Sequence, residues 1–188
     1  MQTVTLRLRE RWQSATLMDA GWLLFCAFLF WGSKGAGKLI EGVPGHAGAF
    51  WIPTLFLAHR LVRRPGAATL TAFLGAACWS FPSGGGVGTM APYLAAGLVL
   101  DALAGQGDRL RRLPVALLAG ALCHLAKFVF HNVPAALLGL SPHFLTLGLL
   151  PVAGLHLLFG VIGGLGGWLL LRMNQSMKRS GRAPSHRI

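Results

Sequence analysis

The stretch His46-Ala-Gly-Ala-Phe-Trp-Ile-Pro-Thr-Leu-Phe-Leu-Ala-His-Arg-Leu-Val-Arg-Arg-Pro-Gly66 joins an apolar segment to a cluster of arginines, and this pattern decides the fold. Three further basic groups recur along the chain, and long apolar stretches separate them. Together the four groups hold fourteen of the seventeen Lys and Arg residues. They are Arg7, Arg9 and Arg11; Arg60, Arg63 and Arg64; Arg109, Arg111 and Arg112; and Arg172, Lys178, Arg179, Arg182 and Arg187.

The composition is that of an integral membrane protein. Of the 188 residues, 54% are hydrophobic and 12% are charged, whereas charged residues make up about 25% of an ordinary soluble domain. The mean hydropathy is +0.58. A net charge of +12 raises the question of nucleic-acid binding. The basic residues, however, lie at the ends of apolar segments, where Lys and Arg remain on the cytoplasmic side during membrane insertion. We therefore expect a lipid bilayer, and no nucleic acid, as a partner.

Two membrane crossings fit between each basic group and the next. An α-helix rises 1.5 Å per residue, so a segment of 21 residues covers roughly 31 Å, enough to cross a bilayer. The sequence predicts an all-α, six-transmembrane-helix bundle in the cell (inner) membrane, with both termini in the cytoplasm. The predicted crossings are about 20–40, 45–62, 67–81, 87–103, 114–140 and 144–171. They form a membrane domain over 20–172, preceded by a cytoplasmic segment, 1–19, and followed by a cytoplasmic basic tail, 173–188.

A phosphate-loop lookalike lies at the end of the first crossing. Gly32-Ser-Lys-Gly-Ala-Gly-Lys38 matches the first seven positions of G-x-x-x-x-G-K-[ST], but Leu39 stands where the magnesium-binding hydroxyl belongs. The predicted topology also puts this stretch on the outer side, away from ATP. Two interpretations of Lys34 and Lys38 stay open: they approach an anion, or they extend to the outer interface of the membrane.

One face of the fifth crossing carries three ionisable side chains. His124, Lys127 and His131 follow the i, i+3, i+7 spacing of one helical face. Ionisable groups inside a membrane segment are costly and face a cavity or a partner. The face predicts a binding site. The alternatives are hydrogen bonding within the bundle and a metal site that uses His124 and His131.

Aromatic side chains lie at a similar depth on the outer side. They can form an interfacial belt, or they can stack on a flat ligand while the lysines supply positive charge. The second interpretation predicts a substrate-binding pocket in the outer half of the bundle. Its predicted residues are Lys34, Lys38, His46, Trp51, Trp79, Lys127, His131 and Asn132.

The sixth crossing is rich in glycine. Gly160, Gly163, Gly164 and Gly167 carry overlapping G-x-x-x-G spacings, which let helices approach closely inside the bundle or against another membrane protein. The second alternative makes them a partner-docking face. Elsewhere, we expect His156 to be a satisfied core histidine, Asp101 to pair with a base or cap a turn, and the cysteines to be buried. Five acidic residues and no catalytic motif predict that the chain is not an enzyme.

The chain resembles the substrate-binding (S) component of energy-coupling-factor transporters. The closest local match is Phe50-Trp-Ile-Pro-Thr-Leu-Phe-Leu-Ala-His-Arg-Leu-Val-Arg-Arg-Pro-Gly-Ala-Ala68, which is similar to the second helix and the R-[KR]-P-G-A-A turn of the YkoE-type subfamily. The resemblance implies a subunit that captures a vitamin-like solute from the outer side. It also implies docking on a transmembrane coupling subunit that is driven by two cytoplasmic ATPase subunits, which use the ATP. No intrinsic cofactor is expected.

The lysine- and histidine-rich outer face suits an aromatic solute that is anionic or metal-chelated better than a cationic one. We therefore predict the solute-binding subunit of an ATP-driven micronutrient or vitamin importer. Two other functions remain open: a membrane scaffold or assembly protein that needs no pocket, and a membrane protein that handles haem or a metal.

Overall fold

The computed structural model describes residues 16–37, 43–82, 86–105, 109–138 and 147–180. Within these ranges the chain forms α-helices and two short 3-10 helices, and no strand, as the predicted all-α class requires. The helices are α1 (Leu17–Gly37), α2 (Gly48–Val62), α3 (Ala67–Ser80), α4 (Ala91–Ala104), α5 (Leu113–Leu137) and α6 (Leu149–Ser180), and the 3-10 helices are Val87–Thr89 and Arg109–Arg111.

The observed helices follow the predicted crossings, and the largest difference lies in α6. This helix continues to Ser180, whereas the predicted crossing ends at 171 and a basic tail follows it. The backbone of a polar helical extension forms its own local hydrogen bonds, so a helix can continue beyond its apolar stretch. The length of the apolar stretch therefore does not mark the end of the helix. Lys38 and the predicted start of the sixth crossing lie outside the described residues.

Three helical segments are long and apolar enough to cross a membrane within the described part of the chain. They are Val87–Ala104, Leu113–Ala135 and Leu149–Met173, with mean hydropathies of 1.5, 1.9 and 1.9. Two further helices, α2 and α3, are apolar but shorter, at 15 and 14 residues. A length of 15 residues corresponds to about 22 Å. The chain therefore has the character of a membrane protein, and the full set of six crossings stays a prediction.

Helix α2 lies at the centre of the bundle. It packs against α1, α3 and α6, while α5 packs between α4 and α6. Trp51, Ile52, Leu55 and Phe56 of α2 are completely buried. Helix α2 thus supplies several of the largest core side chains, and Phe30 of α1 and Leu100 of α4 complete the core.

The cysteines were predicted to be buried, and two of the three are. Cys26 and Cys123 are buried, whereas Cys78 of α3 is exposed and lines an apolar groove between α1 and α3. An apolar segment can face lipid as well as other helices, so a position within one does not establish burial. The prediction is therefore wrong for Cys78.

The connection between α2 and α3 is held at the start of α1. Arg63 ends α2 in the left-handed conformation, with φ of 52°, and donates its backbone N–H to the His59 carbonyl at 3.2 Å. Next to it, the guanidinium of Arg64 lies 2.8 Å from the Asp19 carboxylate. Asp19 also forms a reciprocal cap with Thr16, whose hydroxyl accepts the Asp19 N–H at 3.2 Å.

Asp101 caps the first turn of α3. Its carboxylate accepts the backbone N–H groups of Ala68 and Thr69 at 3.3 and 2.9 Å, and the Thr69 hydroxyl at 2.7 Å. Nδ1 of His59 lies 3.8 Å from the same carboxylate. The first N–H groups of a helix have no partner within the helix, so the carboxylate supplies what α3 lacks. The prediction that Asp101 caps a turn or pairs with a base is confirmed.

These contacts gather the described basic groups at one end of the bundle. At this end the indole N–H of Trp168 donates to the Arg111 carbonyl at 2.9 Å, and the Arg172 guanidinium lies 4.5 Å from the centroid of the Trp168 ring. We call it the arginine end, and it comprises Asp19, Arg60, Arg63, Arg64, Asp101, Arg109, Arg111, Arg112, Trp168 and Arg172.

Candidate functional site

Polar and aromatic side chains converge on Tyr93 of α4, in the interior of the bundle away from the arginine end. The hydroxyl of Tyr93 contacts the Lys34 ammonium, which also lies 4.2 Å from the ring centroid. The Lys127 ammonium lies 6.0 Å from the same centroid, and the Trp51 ring lies 5.6 Å away. We call this set the polar cluster, and it comprises Lys34, Trp51, Tyr93, His124, Lys127 and His156.

Two histidines form the deep side of the polar cluster. The rings of His124 and His156 are 4.5 Å apart between centroids, and both side chains are buried. Trp51 packs edge-on against His124 at 5.6 Å. Since these three side chains come from α5, α6 and α2, the cluster exists only when all three helices are packed together.

The backbone around Gly45 and Gly48 holds His124 in one orientation. Nε2 of His124 lies 2.6 Å from the Gly45 carbonyl oxygen. A carbonyl can only accept a hydrogen bond, so in a neutral ring Nε2 carries the proton and Nδ1 is an acceptor. A side chain at Gly48 would meet the ring, because its Cβ would lie 2.5 Å from Nε2. The ring is therefore fixed with Nδ1 directed away from its backbone partner.

Several buried polar atoms of the cluster have no hydrogen-bond partner among the described residues. They are Nε1 of Trp51, Nδ1 of His124 and both ring nitrogens of His156. An unpaired buried donor or acceptor costs about 1–3 kcal/mol. His156 was predicted to be a satisfied core histidine, and that prediction is wrong: the ring is buried against His124 and Phe128, but these neighbours offer it no hydrogen bond.

The cluster carries positive charge that the described carboxylates do not neutralise. Asp19 and Asp101 are the two acidic residues in the described part of the chain, and both bind partners at the arginine end. Lys34 and Lys127 both approach the face of Tyr93 instead. Cation–aromatic contacts stabilise a lysine only partly, so the Lys127 ammonium favours an anion nearby.

The structure brings together four of the eight predicted binding residues. Lys34, Trp51 and Lys127 belong to the polar cluster, and the Trp79 ring lies 5.5 Å from the Lys34 ammonium. These four residues are far apart in the sequence. They were grouped because each was predicted to line a pocket in the outer half of the bundle. Tyr93 joins them, although the sequence analysis did not single it out. Its signal was its uniqueness, since it is the one tyrosine of the chain and lies within an apolar segment.

The remaining predicted residues have other positions. Nδ1 of His46 lies 2.5 Å from the Val43 carbonyl oxygen and its Nε2 contacts the Gly37 carbonyl, so this side chain ties α1 to α2. His131 is exposed, and Asn132 is half-buried with an unpaired Oδ1 atom. Lys38 lies outside the described residues.

The histidines suggest a different metal pair from the predicted one. His124 was paired with His131 on helical spacing, but the first is buried and the second is exposed. The side chain adjacent to His124 is His156, which the sequence spacing could not relate to it. The described residues contain no group of three or more His, Cys, Asp or Glu side chains placed to hold a metal ion.

The glycines of α6 make close helix contacts inside the chain. A Cβ on Gly160 would lie 2.7 Å from the Gly120 carbonyl of α5, and one on Gly163 would lie 2.6 Å from the Gly48 carbonyl of α2. Gly164 and Gly167 are likewise buried, against α5 and against the Phe56 ring. The packing favours the interior alternative over partner docking at these four positions.

Comparisons with known proteins do not identify a family for this chain. No family model matches the chain, and no curated protein or solved structure is detectably similar to it. The function is therefore argued from the polar cluster and from the distribution of charge.

Proposed function

We propose that the chain is the solute-binding subunit of an ATP-driven importer of the energy-coupling-factor type. In this proposal it crosses the inner membrane six times, with both termini and the arginine end in the cytoplasm. It captures a small aromatic solute, anionic or metal-chelated, from the outer side. A transmembrane coupling subunit and two cytoplasmic ATPase subunits complete the importer and use the ATP.

The distribution of arginines supports this orientation. In the described residues the basic groups lie at one end of a helical bundle, whereas Lys34 and Lys127 are part of the polar cluster. Cytoplasmic connections of membrane proteins carry an excess of Lys and Arg. An arginine end in the cytoplasm directs the end of α1 that carries Lys34 toward the outer side.

The unpaired polar atoms of the cluster are the single observation that carries the proposal. A membrane interior provides no water to satisfy Trp51, His124 and His156, so each unpaired atom reduces stability. A protein retains this loss of stability where a bound ligand supplies the missing hydrogen-bond partners. A structural scaffold has no need of this cost, because apolar side chains would pack the same space at lower free energy.

The chemistry of these atoms describes the solute. Trp51 offers an N–H donor, Nδ1 of His124 offers an acceptor, and a neutral His156 offers one of each. The rings of Trp51 and Tyr93 provide flat apolar surfaces, and Lys34 and Lys127 provide positive charge. A heteroaromatic ring with both donor and acceptor atoms and an anionic group complements this set.

Native mass spectrometry of the gently solubilised complex tests the proposal. We expect the wild-type chain to be retained with a coupling subunit, two ATPase subunits and one small molecule. The double variant Lys34→Met/Lys127→Met should lose the small molecule and keep the subunits. The variant Arg109→Met, which removes an exposed charge at the arginine end, should keep both. A chain that carries neither a solute nor partner subunits would exclude the importer function.

The adjacent imidazoles favour one second candidate, a membrane protein that handles a metal or haem. His124 and His156 hold three unpaired ring nitrogens between them, with the rings 4.5 Å apart. Neutral imidazole nitrogens are common ligands of transition metals. Elemental analysis and a visible absorption spectrum of the purified protein would distinguish this candidate, since it requires bound metal that His156→Phe removes.

A further inference from the structure

The start of α5 and the end of α6 bring arginines from two helices together at the arginine end. The Trp168 indole N–H donates to the Arg111 carbonyl at 2.9 Å, and the Arg172 guanidinium lies 4.5 Å from the centroid of the Trp168 ring. Arg112 follows Arg111 directly, and the two helices are in close contact one turn deeper, at Gly164. We call Arg112, Trp168 and Arg172 the basic corner.

The described carboxylates do not neutralise the basic corner. Asp19 and Asp101 bind groups elsewhere at the arginine end, and neither forms an ion pair with Arg112 or Arg172. Both of these arginine side chains are exposed. The Trp168 ring is a partner of Arg172, but a cation–aromatic contact uses no N–H group, so the guanidinium keeps its donors for an oxyanion. The basic corner can therefore accept an anion without losing a contact.

Exposed leucines begin directly beside the basic corner. Leu113 follows Arg112, and Leu169 and Leu170 lie between Trp168 and Arg172 in α6. Tryptophan is typical of the boundary between the hydrocarbon core of a bilayer and its headgroups, where the ring is in apolar surroundings and the N–H is in polar ones. The change from leucine to arginine within a few residues therefore places the two guanidinium groups at the depth of the lipid phosphates.

We propose that the basic corner binds the phosphate of one anionic phospholipid, with Arg112 and Arg172 on the phosphate oxygens and an acyl chain along the exposed leucines. Guanidinium groups bind phosphate through parallel N–H donors, and basic pockets between membrane helices bind anionic headgroups. A phospholipid is the occupant because it places an oxyanion and a hydrocarbon chain at neighbouring positions. A free phosphate would leave the leucines uncovered, and an acidic protein surface would meet the arginines only from the aqueous side.

This lipid site requires the membrane placement given under Proposed function, and it needs neither the solute nor the ATPase subunits. The full-length protein is placed in nanodiscs of equal parts phosphatidylglycerol and phosphatidylcholine, and native mass spectrometry identifies the lipids that the ejected protein retains. Arg172→Gln removes one charge from the basic corner. Arg63→Gln is the matched control, because it removes one exposed charge at the same end of the bundle, between α2 and α3.

We expect Arg172→Gln to lower the preference of one retained lipid for phosphatidylglycerol by about fivefold, which corresponds to the roughly 1 kcal/mol that one basic residue contributes near an anionic membrane surface. Arg63→Gln should keep the wild-type preference. Arg172→Lys keeps the charge and should keep most of the preference. Thermal unfolding of each variant in the same nanodiscs confirms that the protein is folded.

The double variant Arg112→Gln/Arg172→Gln tests whether both arginines bind the same phosphate. Independent contributions multiply, whereas residues that share one partner are coupled. We expect the double variant to lose less preference for phosphatidylglycerol than the product of the two single losses. Losses that multiply would show that the two arginines do not share a phosphate, which would contradict the site.

Three further results would overturn the lipid site. The first is an equal preference in Arg172→Gln, Arg63→Gln and the wild type. The second is an equal loss in Arg172→Gln and Arg63→Gln, since lipids would then respond to the total charge of the arginine end. The third is displacement of phosphatidylglycerol by inorganic phosphate, which would identify a free anion as the ligand. Absence of a coupling subunit from the native complex would exclude the importer and leave the lipid site intact, whereas a protein that does not enter nanodiscs would exclude both.

Discussion

The carboxylates of the arginine end are hydrogen-bonded, whereas several buried nitrogens of the polar cluster are not. At the arginine end, the Asp19 carboxylate binds Arg64 and Thr16, and the Asp101 carboxylate binds Ala68, Thr69 and, at longer range, His59. In the polar cluster, buried donors and acceptors have no partner among the described residues. These include the indole N–H of Trp51 and both ring nitrogens of His156.

In the proposed function, this difference separates a structural role at the arginine end from a binding role in the polar cluster. The two carboxylates of the arginine end bind groups of the same chain, so these contacts form without a ligand. In the proposed function a ligand completes the polar cluster, because Nε1 of Trp51, Nδ1 of His124 and both ring nitrogens of His156 have no partner among the described residues. We therefore expect substitutions at the arginine end to lower stability and spare solute binding. In the polar cluster we expect the reverse.

The largest effect is expected from Lys127→Met. A hydrogen bond to a charged group contributes about 1.5–3 kcal/mol, so loss of the ammonium should weaken solute binding by roughly a hundredfold. The melting temperature should not fall, because the described carboxylates do not pair with Lys127. Titration of the copurified solute by calorimetry gives the affinity, and thermal unfolding in nanodiscs gives the stability. A lower melting temperature with unchanged solute affinity would contradict this prediction, because it would give Lys127 a structural role and no role in binding.

Asp101→Ala should give the largest loss of stability at the arginine end. The substitution leaves the N–H groups of Ala68 and Thr69 without their carboxylate acceptor and removes a helix cap. We expect unfolding to become easier by about 2 kcal/mol while solute affinity stays at the wild-type value. Asp101→Asn keeps one acceptor oxygen and should recover part of the loss. Equal stability of Asp101→Ala and the wild type would show that the cap contributes nothing.

His156→Phe should stabilise the protein by about 1 kcal/mol, because it replaces two unpaired buried nitrogens with an apolar ring. Solute binding should weaken at the same time. His59→Phe is the comparison variant: Nδ1 of His59 also lacks a hydrogen bond, but it lies 3.8 Å from the Asp101 carboxylate, and the replacement removes that interaction. The two melting temperatures should move in opposite directions. A fall for both would indicate that His156 is satisfied by groups outside the described residues.

The smallest effect concerns the pH dependence at Asp19, which precedes the predicted first crossing. The backbone N–H of Thr16, followed by the Arg64 guanidinium, holds the pKa of the Asp19 carboxyl below its usual value of 3.8. A lowered pKa stabilises the folded state above the unfolded pKa, and this contribution is lost as the pH falls through the folded value. Asp19→Asn should therefore lower the melting temperature slightly at pH 7 and by less at pH 3. The same difference at both pH values would contradict this linkage.

Local patterns made half of the candidate site predictable. Lys34, Trp51, Trp79 and Lys127 were found because polar or aromatic residues inside apolar segments are conspicuous. Tyr93 and His156 were missed because each is a single residue on a different helix, with no spacing to relate it to the others. His131 was placed on the same helical face as His124, but it is exposed, since helical periodicity gives a direction and not the distance to a neighbouring helix.

The sequence by itself determined the all-helical class, the approximate helix bounds and the grouping of the arginines. These properties follow from apolar length and charge along a single stretch of chain, and they need no knowledge of neighbours. Only the tertiary structure decided which side chains meet. The pairing of His124 with His156, the approach of two lysines to Tyr93 and the burial of the α6 glycines depend on how α1, α2, α4, α5 and α6 pack. Contacts between residues distant in sequence are set by that packing, because no local periodicity encodes which faces of different helices meet.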